Sequence, residues 1–196
     1  MRDAYRSFRE LEAREVEGRD WSREYIPRGS APLVMAPHGG WIEPYTTELA
    51  RAVAGGDLSF YTFQGLSEDR HGSRGTSLHI TSHRFDEPVA LEAVARARRV
   101  LAIHGERSRD GAFVMVGGGS RRLRQALARR LEDAGFGLRE PRRGLAGVDP
   151  RNLCNRGREG GGAQLELSEA LRKRLRGSPK DRRAFVRAVR RVLLEF

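Results

Sequence analysis

Cysteine is nearly missing from this chain. Cys154 is the single one among 196 residues, so no internal disulfide staples the fold. No run of about 18 apolar residues occurs, which excludes a membrane-spanning helix. The first twenty residues hold no uninterrupted apolar stretch, so a cytoplasmic protein without a secretory signal is expected. Lysine is scarce as well, with Lys173 and Lys180 standing against 35 arginines. No internal repeat or low-complexity linker divides the chain, and hydrophobic residues make up 38%, enough for one core. A single domain over residues 1–196 is the expectation.

What is abundant is positive charge, a net +11. It is concentrated late: from Arg172 to Arg191 ten basic residues stand against one acid, Asp181. Such a segment either attracts nucleic acid, an acidic polymer or another anionic partner, or is a solvated helix face. Composition leaves these open.

Strand and helix signals alternate along the chain. Tyr5, Phe8, Leu11 and Val16 are spaced for an N-terminal helix over about 1–17. The apolar run Ala31 to Pro37 reads as a buried strand, and Tyr45, Leu49 and Val53 as a helix ended by Gly55-Gly56. Further strands are expected at 58–63, 77–81, 100–104, 112–116 and 164–167, with a short one beginning at Phe136. Helices are expected at 88–99, behind Ser120, behind Ser168, and over the basic segment 180–196. This alternation implies an α/β fold with a mainly parallel sheet and helices on both faces. Ligand sites in such sheets form where loops leave the carboxyl ends of strands.

Polar residues at those ends are therefore the candidates. His38 follows a buried strand, Glu43 comes five residues later across two glycines, and His104 ends the apolar run Val100 to Ile103. Brought together, they make a three-ligand zinc site with a fourth position open to water; singly, the H-x4-E spacing is common by chance and a strand-end His is more often just a polar loop residue. Glu166 interrupts an apolar strand, either facing the same cleft as a general base or lying exposed on an edge. His79 and Arg84 lie in a passage dense in polar groups and are candidate substrate contacts; Asp86 is a candidate to orient an imidazole, and His83 is equally explained as an exposed loop residue. Arg156 is a candidate carboxylate anchor and Asn155 a neutral donor. Gly117-Gly118-Gly119-Ser120 lacks the Lys of a Walker A loop and reads as a tight strand-to-helix turn; Cys154 reads as a small buried thiol.

Several segments taken in order resemble the poly-γ-glutamate hydrolase family, typified by enzymes of Bacillus phages and their bacterial chromosomal relatives. They are APHGGWIEP (36–44), LHITSHRFDEP (78–88), Ile103-His104-Gly105, Leu145-Ala146-Gly147, NLCNRG (152–157) and GAQLELS (162–168). The resemblance implies a zinc-carboxypeptidase-like fold, a three-layer α/β/α arrangement around a mixed, mainly parallel sheet. It also implies zinc (Zn2+) on His38, Glu43 and His104, with Glu166 as general base in hydrolysing γ-glutamyl amide bonds of an anionic polymer. Release by lysis is expected of a phage-derived copy. The basic C-terminal helices exceed what the family requires. Two other readings stay open: a zinc amidohydrolase of small N-acyl or γ-glutamyl amino acids, and an arginine-rich nucleic-acid-binding protein that needs no zinc.

Overall fold

The apolar runs of the sequence become the middle of one sheet in the computed structural model, which describes residues 3–29, 32–67, 78–142 and 144–196. Seven strands are seen among these: β1 (Trp21–Ile26), β2 (Leu33–Gly40), β3 (Ser59–Gly65), β4 (Val100–Gly105), β5 (Phe113–Gly117), β6 (Gly137–Arg139) and β7 (Ala163–Leu167). Their order is β1-β3-β2-β4-β7-β5-β6. β2, β4 and β7 are covered on both faces, which is why they read as near-continuous apolar runs. β3–β2–β4–β7 and β5–β6 pair in parallel, whereas β1 on β3 and β5 on β7 are antiparallel, so the sheet is mixed and mainly parallel.

Six α-helices form the two outer layers: α1 (Phe8–Glu12), α2 (Thr46–Ala54), α3 (Pro88–Arg96), α4 (Arg121–Asp133), α5 (Glu169–Gly177) and α6 (Pro179–Glu195). One face of the sheet meets α2, α4, α5 and α6, through residues such as Leu49, Leu127, Leu175 and Val189. The other meets α1, α3 and a single 3-10 turn at Leu153–Asn155, through Phe8, Leu11, Val94 and Leu153. In α4 the stripe Leu123, Leu127 and Leu131 is fully buried, each leucine contributing about 1.5–3 kcal/mol by leaving water. Ser120 caps this helix by accepting from the Leu123 N–H, so the glycine-rich passage before it is the expected tight turn.

Three expectations are corrected. The N-terminal helix spans only Phe8–Glu12 rather than about 1–17; Val16 is exposed and its N–H donates to the Asp20 carboxylate, which ends the helical path early. No strand forms over 78–81, and Ser77 lies outside the described residues. There the Thr81 N–H and hydroxyl both donate to the Asp3 carboxylate and the Ile80 carbonyl accepts from His38, so side chains satisfy groups that a ladder would have used. β1 was not anticipated: its half-buried residues give a weak apolar signal, as suits an edge strand.

The basic C-terminal segment is partly neutralised within the fold. Arg174 pairs with Asp181, Lys173 with Glu169, Arg190 with Asp57 and Arg191 with Glu195. These exposed pairs stabilise little, about 0–1 kcal/mol each. Among the described residues no helix is long and apolar enough to cross a membrane.

One buried carboxylate joins the helical layer to the sheet. Glu87 caps α3 by accepting from the Val89 and Ala90 N–H groups, and also takes the Tyr61 hydroxyl and the Arg23 guanidinium, each at 2.7 Å. Glu87→Ala leaves Tyr61 buried without its acceptor and removes the cap. A loss of about 3 kcal/mol is expected from urea denaturation, and an unchanged midpoint would contradict this account.

Candidate metal centre and active site

β2 continues into β3 on one side of the sheet and is flanked by β4 on the other, so the chain's direction of progression reverses there. β2 and β4 pair only from Leu33 to Met35 and from Val100 to Ala102, and beyond these residues no pairing holds their carboxyl ends together. Crevices at such reversal points are where open α/β sheets bind ligands. The pairing of β2 with β3 also slips between Ala36 and Gly39, a bulge that contains Pro37 and His38. Proline has no N–H to give a ladder, so a bulge accommodates it, and bulges re-aim side chains.

The turn after β2 then folds back on it. The Glu43 N–H donates to the His38 carbonyl at 2.9 Å, and the Trp41 N–H to Gly65 at 3.0 Å. Gly40, at φ 61°, lies so close to the Gly65 carbonyl that a Cβ would sit 2.2 Å from its oxygen; only glycine fits. The result is a cluster of three buried or nearly buried donors. His38 Nδ1 lies 3.1 Å from Glu43 Oε1 and 3.2 Å from His104 Nδ1, and His104 Nδ1 lies 3.4 Å from Glu43 Oε2. Ligands on one tetrahedral zinc, at bonds of 2.0–2.1 Å, are about 3.3 Å apart. The spacing therefore fits a single small cation.

The neighbours aim these donors. His38 Nε2–H donates to the Ile80 carbonyl at 2.8 Å; a carbonyl only accepts, so the Nδ1 lone pair is the one directed at the cluster. The Gly105 N–H donates to Glu43 Oε2 at 2.8 Å, and Ser82 Oγ lies 3.4 Å from His104 Nε2. Burial, reinforced by the neighbouring His79, pulls the His38 imidazole down to about 4. Burial acts the same way on His104, but Glu166 and Glu43 outweigh it and carry that ring up to about 8. Burial alone would raise Glu43, yet the two histidines hold it well below the usual carboxylate range. Once a cation displaces the His104 proton, a negative carboxylate with two imidazole lone pairs is a donor set suited to a dication.

Glu166 stands on β7 directly opposite His104 on β4, and is 6% exposed. Burial pushes its carboxyl up to about 7, against the pull of His104. A chain of amides fixes it. The Cys154 N–H donates to Asn152 Oδ1, Asn152 Nδ2 to Gln164 Oε1, and Gln164 Nε2 to Glu166 Oε1 at 2.9 Å. The backbone donor at the far end settles the orientation of every amide along it. Both carboxylates and all three histidines at 38, 79 and 104 line one cavity of 810 Å³, walled also by His83, Arg107 and the loop 144–149.

Not every expected contact reaches that cavity. His79 does: its ring lies 4.1 Å from the His38 ring, and its Nδ1 is 2.8 Å from Asp3 Oδ1. Arg84 is absent from the wall and is bound to the Asp3 carboxylate instead. Asn155 braces loops: its Oδ1 accepts from Gly119 and Gly162, and its Nδ2 donates to the Gly147 and Asp149 carbonyls. Arg156 also lies off the wall. Asp86 takes the Phe8 N–H at the start of α1, and among the described residues it is hydrogen-bonded to no imidazole. Cys154 is fully buried and burial pushes its thiol up to about 12, so it is inert as expected. Sequence reasoning passed over Gln164 and Ser82. Gln164 was findable, because on a strand it shares a face with Glu166 two residues on.

The comparisons with known proteins concern the whole chain rather than any single residue. UPF0714 proteins YndL and YmaC of Bacillus subtilis (strain 168) are 38% and 36% identical over 182 and 173 residues, covering 89% and 87% of this chain and 68% and 71% of theirs. A solved bacteriophage poly-γ-glutamate hydrolase superposes with a TM-score of 0.90 at 29% identity over 99% of this chain and 98% of its own. A zinc-free apo form of YndL gives 0.89 at 34% identity, covering 98% of each chain. N-formylglutamate amidohydrolase from Ralstonia eutropha JMP134, at 12% identity and a TM-score of 0.57 over 90% of this chain and 98% of its own, shares the fold alone. The profile described as poly-gamma-glutamate hydrolase matches residues 5–186, nearly the whole of the described fold, and the chain belongs to that family of hydrolases.

Proposed function

We propose that the protein hydrolyses γ-glutamyl amide bonds of poly-γ-glutamate, with His38, Glu43 and His104 as zinc ligands and Glu166 as general base. The observation that carries this reading is the pairing of His104 with Glu166 across adjacent strands, with the Glu166 carboxylate and the three-donor cluster lining one cavity. The zinc-free description of the YndL structure supports zinc as the cation. Bound there, zinc would acidify a water and polarise the amide carbonyl.

The chain's own groups do the rest. Glu166 takes a proton from the attacking water as its oxygen bonds to the carbonyl carbon. When the C–N bond breaks, the same carboxyl returns that proton to the leaving nitrogen, so no proton is left over. Gln164 holds Oε1 of that carboxylate in place throughout. The polymer carries one free α-carboxylate per residue, and Arg107, His83 and His79 on the wall supply the positive or hydrogen-bonding edge to receive it.

The test is to supply the purified protein with zinc, measure the bound metal, and follow the chain length of poly-γ-glutamate. About one zinc per chain and shortening of the polymer are expected. Stoichiometric zinc without any shortening would sink the substrate, and no zinc uptake would sink the site.

A further inference from the structure

Arg172 on α5 is a buried arginine, 6% exposed, whose side chain is hydrogen-bonded to no acid among the described residues. Its three kinds of nitrogen go to three backbone carbonyls. Nη1 donates to Pro44 at 2.7 Å, Nη2 to Glu106 at 3.1 Å, and Nε to Leu167 at 3.3 Å. Those carbonyls belong to segments remote in sequence. Each is next to, or two residues along from, a group of the site: Pro44 follows Glu43, Glu106 is two residues beyond His104, and Leu167 follows Glu166. The planar guanidinium with its fixed fork suits this task in a way a lysine ammonium does not.

Gly105 completes the arrangement. A Cβ built on it would lie 2.7 Å from Arg172 Cζ, 2.9 Å from Nη1 and 3.0 Å from Nε, so the guanidinium rests against this glycine's backbone. From the same residue the N–H donates to Glu43 Oε2. Gly105 is therefore held between a proposed metal ligand and the arginine. Taking a guanidinium out of water is unfavourable, and burial does lower the Arg172 pKa, with Glu43, Glu169, Glu106 and Glu166 acting in the opposite direction.

Resting on the zinc reading above, we infer that Arg172 is a positioning residue that clamps the Glu43, His104 and Glu166 segments into one rigid site through their backbones. It touches neither metal nor substrate. It sets the separation of the ligands from the base, as a buried tie between three strand ends.

The test uses Arg172→Lys and Gly105→Ala, with Arg172→Met as the harsher change. An alanine Cβ at 105 pushes the guanidinium aside without removing it. Folding is checked by circular dichroism, and zinc affinity by competition with a chromophoric chelator at a temperature where each variant is folded. Zinc binding weakened about 10–100-fold is expected for Arg172→Lys and Gly105→Ala, the range for residues that support metal ligands. In zinc-saturated protein, kcat on poly-γ-glutamate should fall by at least about tenfold with KM nearly unchanged. The two changes should not add, since both act on one contact. A variant that melts earlier, yet binds zinc and turns over as the wild type does when folded, would reduce Arg172 to a structural residue and overturn the clamp. Wild type that takes up no zinc overturns the zinc reading itself, and the clamp with it.

Discussion

His38→Ala is expected to strip the protein of zinc and to lower hydrolysis of poly-γ-glutamate by more than about 100-fold, beyond what residues supporting a ligand usually produce. His38 Nδ1 is within 3.2 Å of both other donors, so its loss leaves two ligands where a closed triangle stood. Two ligands on one side of a cavity of 810 Å³ leave a cation open to solvent and to chelators. The substitution also frees the Ile80 carbonyl, at a cost of about 1–3 kcal/mol if it stays buried and unpaired. The variant should therefore melt earlier than wild type, and metal must be measured on folded protein. Elemental analysis after dialysis checks the result; near-stoichiometric zinc in the folded variant would remove His38 from the ligand set.

Glu166→Gln is expected to do the reverse: zinc stays, and kcat falls by about 10²–10⁴-fold, the usual worth of a positioned base. The glutamine is nearly isosteric and still offers an oxygen to Gln164 Nε2, so the cavity keeps its shape. Stability gives a second check with its sign fixed. Burial holds the folded carboxyl at about 7 against an ordinary 4.5, so its ionisation disfavours the folded state as pH rises above 4.5, in full above about 7. The glutamine carries no such penalty. With a chelator present, the variant should melt at the same temperature as wild type near pH 4 and higher near pH 8. Retained activity would show that another group takes the proton.

The strands of the sheet centre were legible because burial on both faces writes itself as unbroken apolar sequence. A His or Glu inside such a run is conspicuous, which is why His38, His104 and Glu166 could be singled out and why they meet in one cavity. Arg84, Asn155 and Arg156 were far less legible. In a chain with 35 arginines the identity of one arginine says little about where it points. Arg84 and His79 are bound to Asp3, more than seventy residues away, and no local pattern encodes such a pairing. Arg172 was hidden for the opposite reason: it sat inside a charge run that reads as solvent-facing, while its side-chain hydrogen bonds among the described residues go to backbone carbonyls.

His38, His104 and Glu166 stand on parallel strands, whereas much of the surrounding cavity wall is loop, notably 81–83 and 144–149. On the proposed mechanism, reaction and admission are thus encoded in separable parts of the gene. Loops tolerate insertion and deletion, while a strand that shifts by one residue turns every side chain to the wrong face. Lineages carrying this fold can accordingly drift in which amides they accept while the reacting groups stay fixed, and differences in diet between such enzymes should be sought in rim length rather than in the four residues beneath it.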